Sequence, residues 1–140
     1  MANGTFESVA RSIQKRVETV ISRMKRMNGT SVSVGIDPAA KYPNGKPVTE
    51  VAEYIEYGTR YMAPRPFMRT AKDEKYESWR GILRRGFLKA ARTGESPMPD
   101  MIRAAEKMKA DVKQSILDYG AYRTGRLHGS VIARVNGEVV

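Results

Sequence analysis

The chain has 140 residues, a length that suits one domain, and its make-up, 41% hydrophobic and 29% charged, is that of an ordinary globular protein, which argues against wholesale disorder. It carries 25 Lys and Arg against 15 Asp and Glu, a net charge of +10, and no cysteine, so disulfide scaffolds, thiolate metal sites and cysteine nucleophiles drop out. His128 is the one histidine, and a zinc site or a His-based acid/base apparatus would have to rest on it alone.

The opening residues, MANGTFESVA, lack a basic start followed by a long apolar run. No stretch approaches the roughly 18 uninterrupted apolar residues of a membrane span, so a soluble protein made in a cytoplasm, with no membrane partner, is expected. From Thr5 to Met27 the residues Phe6, Val9, Ala10, Ile13, Val17, Val20, Ile21, Met24 and Met27 recur at steps of three and four, the spacing of one helix face. Thr5 is placed to cap this helix, and Asn28-Gly29 to stop it. Its polar side is basic: residues 1–27 hold six Lys or Arg against two acids.

The period then changes to two. Ser31 to Ile36 alternates apolar with small residues and reads as a strand with one buried face. Asp37-Pro38 ends it, and residues 37–47, with Tyr42-Pro43-Asn44-Gly45 inside, form a surface loop that is expected to be mobile. A short helix from Val48 to Tyr57 follows, its Glu50, Glu53 and Glu56 read as a solvated face and Gly58 as its stop. Ala63-Pro64-Arg65-Pro66 must be extended, since proline disfavours helix in the residue before it.

A long helix from about Pro66 to Ala91 comes next, with Phe67, Met68, Ala71, Trp79, Ile82, Leu83, Phe87 and Ala90 as its buried set. Residues 60–92 hold ten Lys or Arg against three acids, so the surplus positive charge sits here and on the first helix. Residues 93–99 break the chain as an interhelical linker, and a fourth helix runs to about Asp118. After a Gly- and Arg-rich turn, Ser130 to Val135 alternates again, and Asn136-Gly137 before Glu138 reads as a tight hairpin. The expected architecture is a single α+β domain over residues 1–140. A small mixed sheet would have an N-terminal amphipathic helix, a short helix and two longer helices packed around it.

No enzyme signature appears: there is no phosphate loop, dinucleotide fingerprint, nucleophile elbow or H-E-x-x-H, so no catalytic residue, cofactor or metal is expected. Sequence-specific nucleic-acid binding has no helix-turn-helix or stacking platform behind it, although scattered Lys and Arg suffice for salt-sensitive phosphate contact.

The most informative stretch is A-E-Y-I-E-Y-G-T at 52–59 with P-R-P-F-M-R at 64–69. It is a helix closed by glycine, then a link stiffened by two prolines, then a new helix opening on Phe67. This pattern resembles the E-[FY]-G-T … P-x-R-P-F signature of the phage head-tail joining and tail-completion (neck) family, which includes relatives of the lambda minor tail protein Z. Val32 to Ile36 is similar to that family's V-x-V-G segment, and Arg123 to Val131 to its late TG-x-L-x-x-S motif, in the same order. The chain departs at Tyr119 to Arg123, where the family often has a proline and a polar residue leading into the TG motif.

The resemblance implies a non-enzymatic structural protein of the virion neck or tail, assembled in the bacterial host cytoplasm and joining the head connector to the tail tube. The alternative role is a tail terminator ring, and behind it a basic module that binds DNA without reading sequence. It implies a ring of identical subunits, six to match the tail, with connector or stopper, tube or terminator proteins as partners. Closed rings need heterologous contacts. The candidate faces are the link with Tyr57, Gly58, Thr59, Arg60, Arg65, Pro66, Phe67 and Arg69, and the turn with Thr124, Gly125 and Leu127. Lys72, Arg80, Arg84, Arg85 and Lys89 are candidates for partner contacts or for lining a passage for packaged DNA.

Overall fold

A computed structural model describes residues 2–140 of the chain, with side chains from Thr5 onward. Its elements run α1 (Ala2–Arg26), β1 (Val32–Ile36), α2 (Val48–Tyr57), α3 (Phe67–Thr93), α4 (Met98–Asp118), α5 (Arg126–Gly129), β2 (Val131–Val135) and β3 (Glu138–Val139). The expected α+β architecture is what the chain forms. The sheet has the order β1-β2-β3, and every pairing is antiparallel, where a mixed sheet was anticipated. The register runs from Val32 opposite Val135 to Ile36 opposite Val131. β2 turns back into β3 through Asn136 (φ 53°) and Gly137 (φ 85°), two left-handed residues that match the twist of a two-residue hairpin.

Helix α4 is the centre of the molecule. Its buried residues Met101, Ala104, Ala105, Met108, Val112, Ser115 and Ile116 recur at three and four and face both α3 and the sheet. Ala104 and Ala105 are fully buried and have no bulk beyond Cβ, so the helix can lie close to its neighbours. One core cluster joins Val48, Phe67, Trp79, Val112, Ile116 and Val131, and a second joins Met101 and Ala105 to Ala133 and Val135 of β2. Burial of each larger side chain contributes roughly 1.5–3 kcal/mol. Polar clamps fix the register: Trp79 Nε1 donates to Asp111 Oδ2 at 2.7 Å, and Ser115 Oγ donates to the Phe67 carbonyl at 2.7 Å. Gly86, an odd residue inside a helix, has a reason here: a Cβ would overlap Asp100 in the first turn of α4.

Several expectations are corrected. α1 is already helical at Ala2, so Thr5 lies inside the helix and is not its cap. The linker 93–99 shrinks to residues 94–97, because Thr93 completes α3 and Pro99 sits in the first turn of α4, where a missing N–H costs nothing. Residues 37–47 do form a surface loop, and within it lie an antiparallel Lys41–Pro47 bridge and the bonds Tyr42 N to Lys46 O (2.9 Å) and Gly45 N to Tyr42 O (2.8 Å). α1 is not wrapped on the sheet; its principal neighbour is α3. No helix among the described residues is long and apolar enough to cross a membrane.

Candidate functional site

The link between α2 and α3 is built from constraints in its own sequence. Gly58 ends α2 at φ 77°, and a Cβ there would meet the Met62 carbonyl and the Pro64 nitrogen at 2.8 Å, so the close approach of the chain to itself requires glycine. Thr59 N donates to Met62 O at 2.8 Å and closes a reverse turn. The extended Ala63 to Pro66 then lies back along α2, where Arg65 N donates to Ile55 O at 2.7 Å. The result is a stiff elbow.

What locks the elbow is Glu56. Its carboxylate accepts from the backbone N–H groups of Met68 and Arg69, both at 2.9 Å, and from Arg69 Nε at 3.0 Å, while Arg69 Nη2 donates to the Glu56 carbonyl at 2.7 Å. The acid thus satisfies two of the orphan N–H donors at the start of α3 and lies at the positive end of that helix. Arg69 also stacks on Tyr57, 4.7 Å from the ring centroid. The reading of Glu50, Glu53 and Glu56 as one solvated face is therefore corrected: Glu56 is buried, while Glu53 is exposed and Glu50 accepts from the Tyr54 hydroxyl at 2.6 Å. A signal was present in the sequence. Val48, Ala52 and Glu56 fall at i, i+4 and i+8, so the acid occupies the buried stripe of α2.

The turn after α4 is the other wall. Gly125 (φ 77°) lies against Tyr122, whose hydroxyl a Cβ would meet at 2.8 Å, and Leu127 of α5 drops into the core. Tyr122 packs edge-on to His128 at 5.3 Å. Arg65 Nη1 donates across to the Gly120 carbonyl at 3.3 Å and ties the elbow to this turn.

Two segments more than fifty residues apart in sequence thereby frame one open groove of about 720 Å³. Thr59, Met62 and Arg65 line one side, Arg123, Thr124, Gly125 and Leu127 the other, and the Tyr42–Lys46 loop an end. Its charged lining residues are Lys46, Arg65 and Arg123, all cationic. Lys46 lies 5.3 Å over the Tyr54 ring. Burial pushes the Tyr42 hydroxyl above its usual pKa, opposed by the charge of Arg126, and the hydrogen bond to Glu50, then its charge, raises Tyr54. Such a groove offers cations, aromatic faces and hydroxyls to an extended or acidic segment. Among the described residues no group of three His, Asp or Glu side chains converges as a metal site.

Of the sequence-predicted residues, Thr59, Arg65, Thr124, Gly125 and Leu127 line the groove. Tyr57, Arg60 and Arg69 are exposed beside the elbow, outside the groove lining. Pro66 is half-buried, and Gly58 shapes the chain by its backbone. Phe67 is corrected: at 1% exposure its ring belongs to the core, so it cannot anchor a partner. Leu127, 3% exposed, likewise serves mainly as the foot of the turn. Lys72, Arg80, Arg84, Arg85 and Lys89 are exposed along α3 and do not line the groove. Arg80 pairs with Glu77 at 3.7 Å and Lys89 with Glu95 at 3.4 Å, exposed pairs worth at most about 1 kcal/mol, while Lys72, Arg84 and Arg85 have no ion-pair partner among the described residues.

No protein-family model, curated protein or solved structure matches this chain.

Proposed function

We propose that the chain is a structural protein of a tailed-phage virion, a ring-forming neck or tail-completion subunit that joins the head connector to the tail tube. The observation that carries this reading is the convergence of the elbow and the TG turn, the two segments that bear the resemblance, on one cationic groove. A ring subunit needs a preformed edge that receives a different face of its neighbour. The groove has that character. Its walls are fixed by Glu56, by the Arg65–Gly120 bond and by left-handed glycines, so docking costs little ordering entropy. The ring is expected to hold six copies, and its partners are the connector or stopper above and the tube or terminator below. A terminator ring that caps tube growth would use the same edge.

The test is assembly. Arg65→Glu and Thr124→Glu leave the core untouched and reverse or add charge within the groove, so each is expected to yield full heads and separate tails by electron microscopy, with normal circular dichroism. Joined, infectious particles from both variants would refute the reading. The basic row on α3 supports a second reading, contact with DNA backbone without base recognition. A filter-binding titration tests it: tight binding of free duplex with a steep salt slope supports that role, and no binding near physiological salt removes it.

A further inference from the structure

Every residue of α1 from Thr5 to Thr19 is exposed, including the apolar stripe that should have been its buried face. Phe6 is 76% and Ile13 56% exposed. The helix is held at its foot. Arg23 Nη1 donates to the carbonyls of Ala91 (3.1 Å) and Arg92 (3.0 Å), which pins the C-terminal end of α1 to the end of α3. From that anchor the 25 residues form a rod about 37 Å long.

The rod is divided lengthwise. Phe6, Val9, Ile13, Val17, Ile21 and Met24 make one unbroken line of bulky apolar side chains at steps of three and four. At about 100° per residue, Arg11, Lys15, Arg16, Lys25 and Arg26 spread round about half of the circumference, beside and behind that line. Between them lie the small polar residues Ser8, Ser12, Thr19 and Ser22. The apolar surface also runs on past the helix: Ile21 and Met24 share an open crevice of about 510 Å³ with Phe87 and Leu88 of α3, and Leu88 is 55% exposed. Arg80 and Arg84 line the depression that adjoins it. We infer that α1 is an interfacial anchor, which lies flat on an anionic lipid surface with its stripe sunk toward the acyl chains and its cations among the headgroups.

Charge selects this occupant. α1 holds six Lys or Arg against two acids and α3 eight against three, so a second copy would set like-charged helices against each other. A protein groove takes a helix through pockets matched to a few anchors. Cations round half a circumference, and a stripe of similar aliphatic side chains, ask only for a plane that is apolar below and negative above, which is what a leaflet containing anionic lipid provides. The anticipated lack of a membrane partner concerned spanning segments. α1 belongs to the class that lies in the interface, and its six cations keep it out of the hydrocarbon interior. The inference goes beyond the ring reading and does not rest on it.

The experiment floats the full chain with vesicles of phosphatidylcholine alone and of phosphatidylcholine mixed with phosphatidylglycerol. The wild type is expected to float with the mixed vesicles, less so as salt rises, and to stay off the neutral ones. Ile13→Asp removes an apolar group from the acyl boundary and puts a charge there, so it should weaken binding about tenfold or more, while Ile13→Leu should bind as the wild type does. Lys15→Glu combined with Arg16→Glu leaves the stripe whole and should also weaken binding about tenfold or more. A wild type that stays off the mixed vesicles overturns the inference; if it self-associates instead and Ile13→Asp stops that, a second copy covers the stripe. Equal binding to both kinds of vesicle overturns the selection by charge. Binding unchanged by Ile13→Asp also overturns the inference, because the basic row of α3 would then suffice. Arg65→Glu and Thr124→Glu, which test the neck reading, lie outside α1, so either reading can fail alone.

Discussion

Replacement of Glu56 by alanine removes one buried carboxylate and unties three interactions. Two are hydrogen bonds from the Met68 and Arg69 backbone N–H groups, the third the pair with Arg69 Nε at 3.0 Å. Loss of a helix N-terminal acceptor costs about 1–2 kcal/mol. The Arg69 side chain is 52% exposed, so the ion pair itself contributes only about 0.5 kcal/mol. Glu56→Ala should therefore lower unfolding stability by about 2–3 kcal/mol, counting the desolvated N–H groups left behind. Glu56→Gln keeps one acceptor oxygen and should lose about 1 kcal/mol, and Arg69→Ala should lose less than about 1 kcal/mol. Urea unfolding of the four proteins, with an unchanged denaturant slope, gives the ordering directly. If Arg69→Ala proves as damaging as Glu56→Ala, or Glu56→Ala changes stability by under about 0.5 kcal/mol, the carboxylate is not the lock of the elbow.

Two further substitutions probe the same region. Gly58→Ala forces a Cβ against the Met62 carbonyl and Pro64 at φ 77°, and should cost about 2–3 kcal/mol, read as a lower thermal midpoint; an unchanged midpoint would mean that the turn relaxes freely. Phe67→Ala empties a core site that is 1% exposed and should cost about 3–5 kcal/mol by chemical denaturation, so its effect on particle assembly would report folding and not docking; a well-folded Phe67→Ala protein would contradict that assignment.

Much of this molecule was legible without coordinates, and for a local reason. The four longer helices and the strands are written in residue spacing, and their ends in Gly29, Gly58, Gly94 and Asn136-Gly137, whose left-handed dihedrals are properties of a few neighbouring residues. α2 runs from Val48 to Tyr57 as its period and terminal glycine required. What spacing could not say is which apolar face finds a partner. The stripes of α1 and α4 read alike, yet α4 is buried between a helix and a sheet while α1 stands uncovered, because only the chain path decides what lies opposite. Phe67 was read both as part of a buried set and as a contact residue, and the structure keeps only the first; Leu127 looked like a contact residue in its short motif and proved to be core, and Glu56 looked like surface and proved to be the buried lock of the elbow. The meeting of residues 59–65 with residues 120–127 was likewise invisible, since the Arg65–Gly120 bond spans 55 residues. Sequence alone determined the elements and their turns, which depend on interactions within about four residues. Tertiary structure decided burial, the groove and the exposure of the α1 stripe, which depend on contacts that no local pattern encodes.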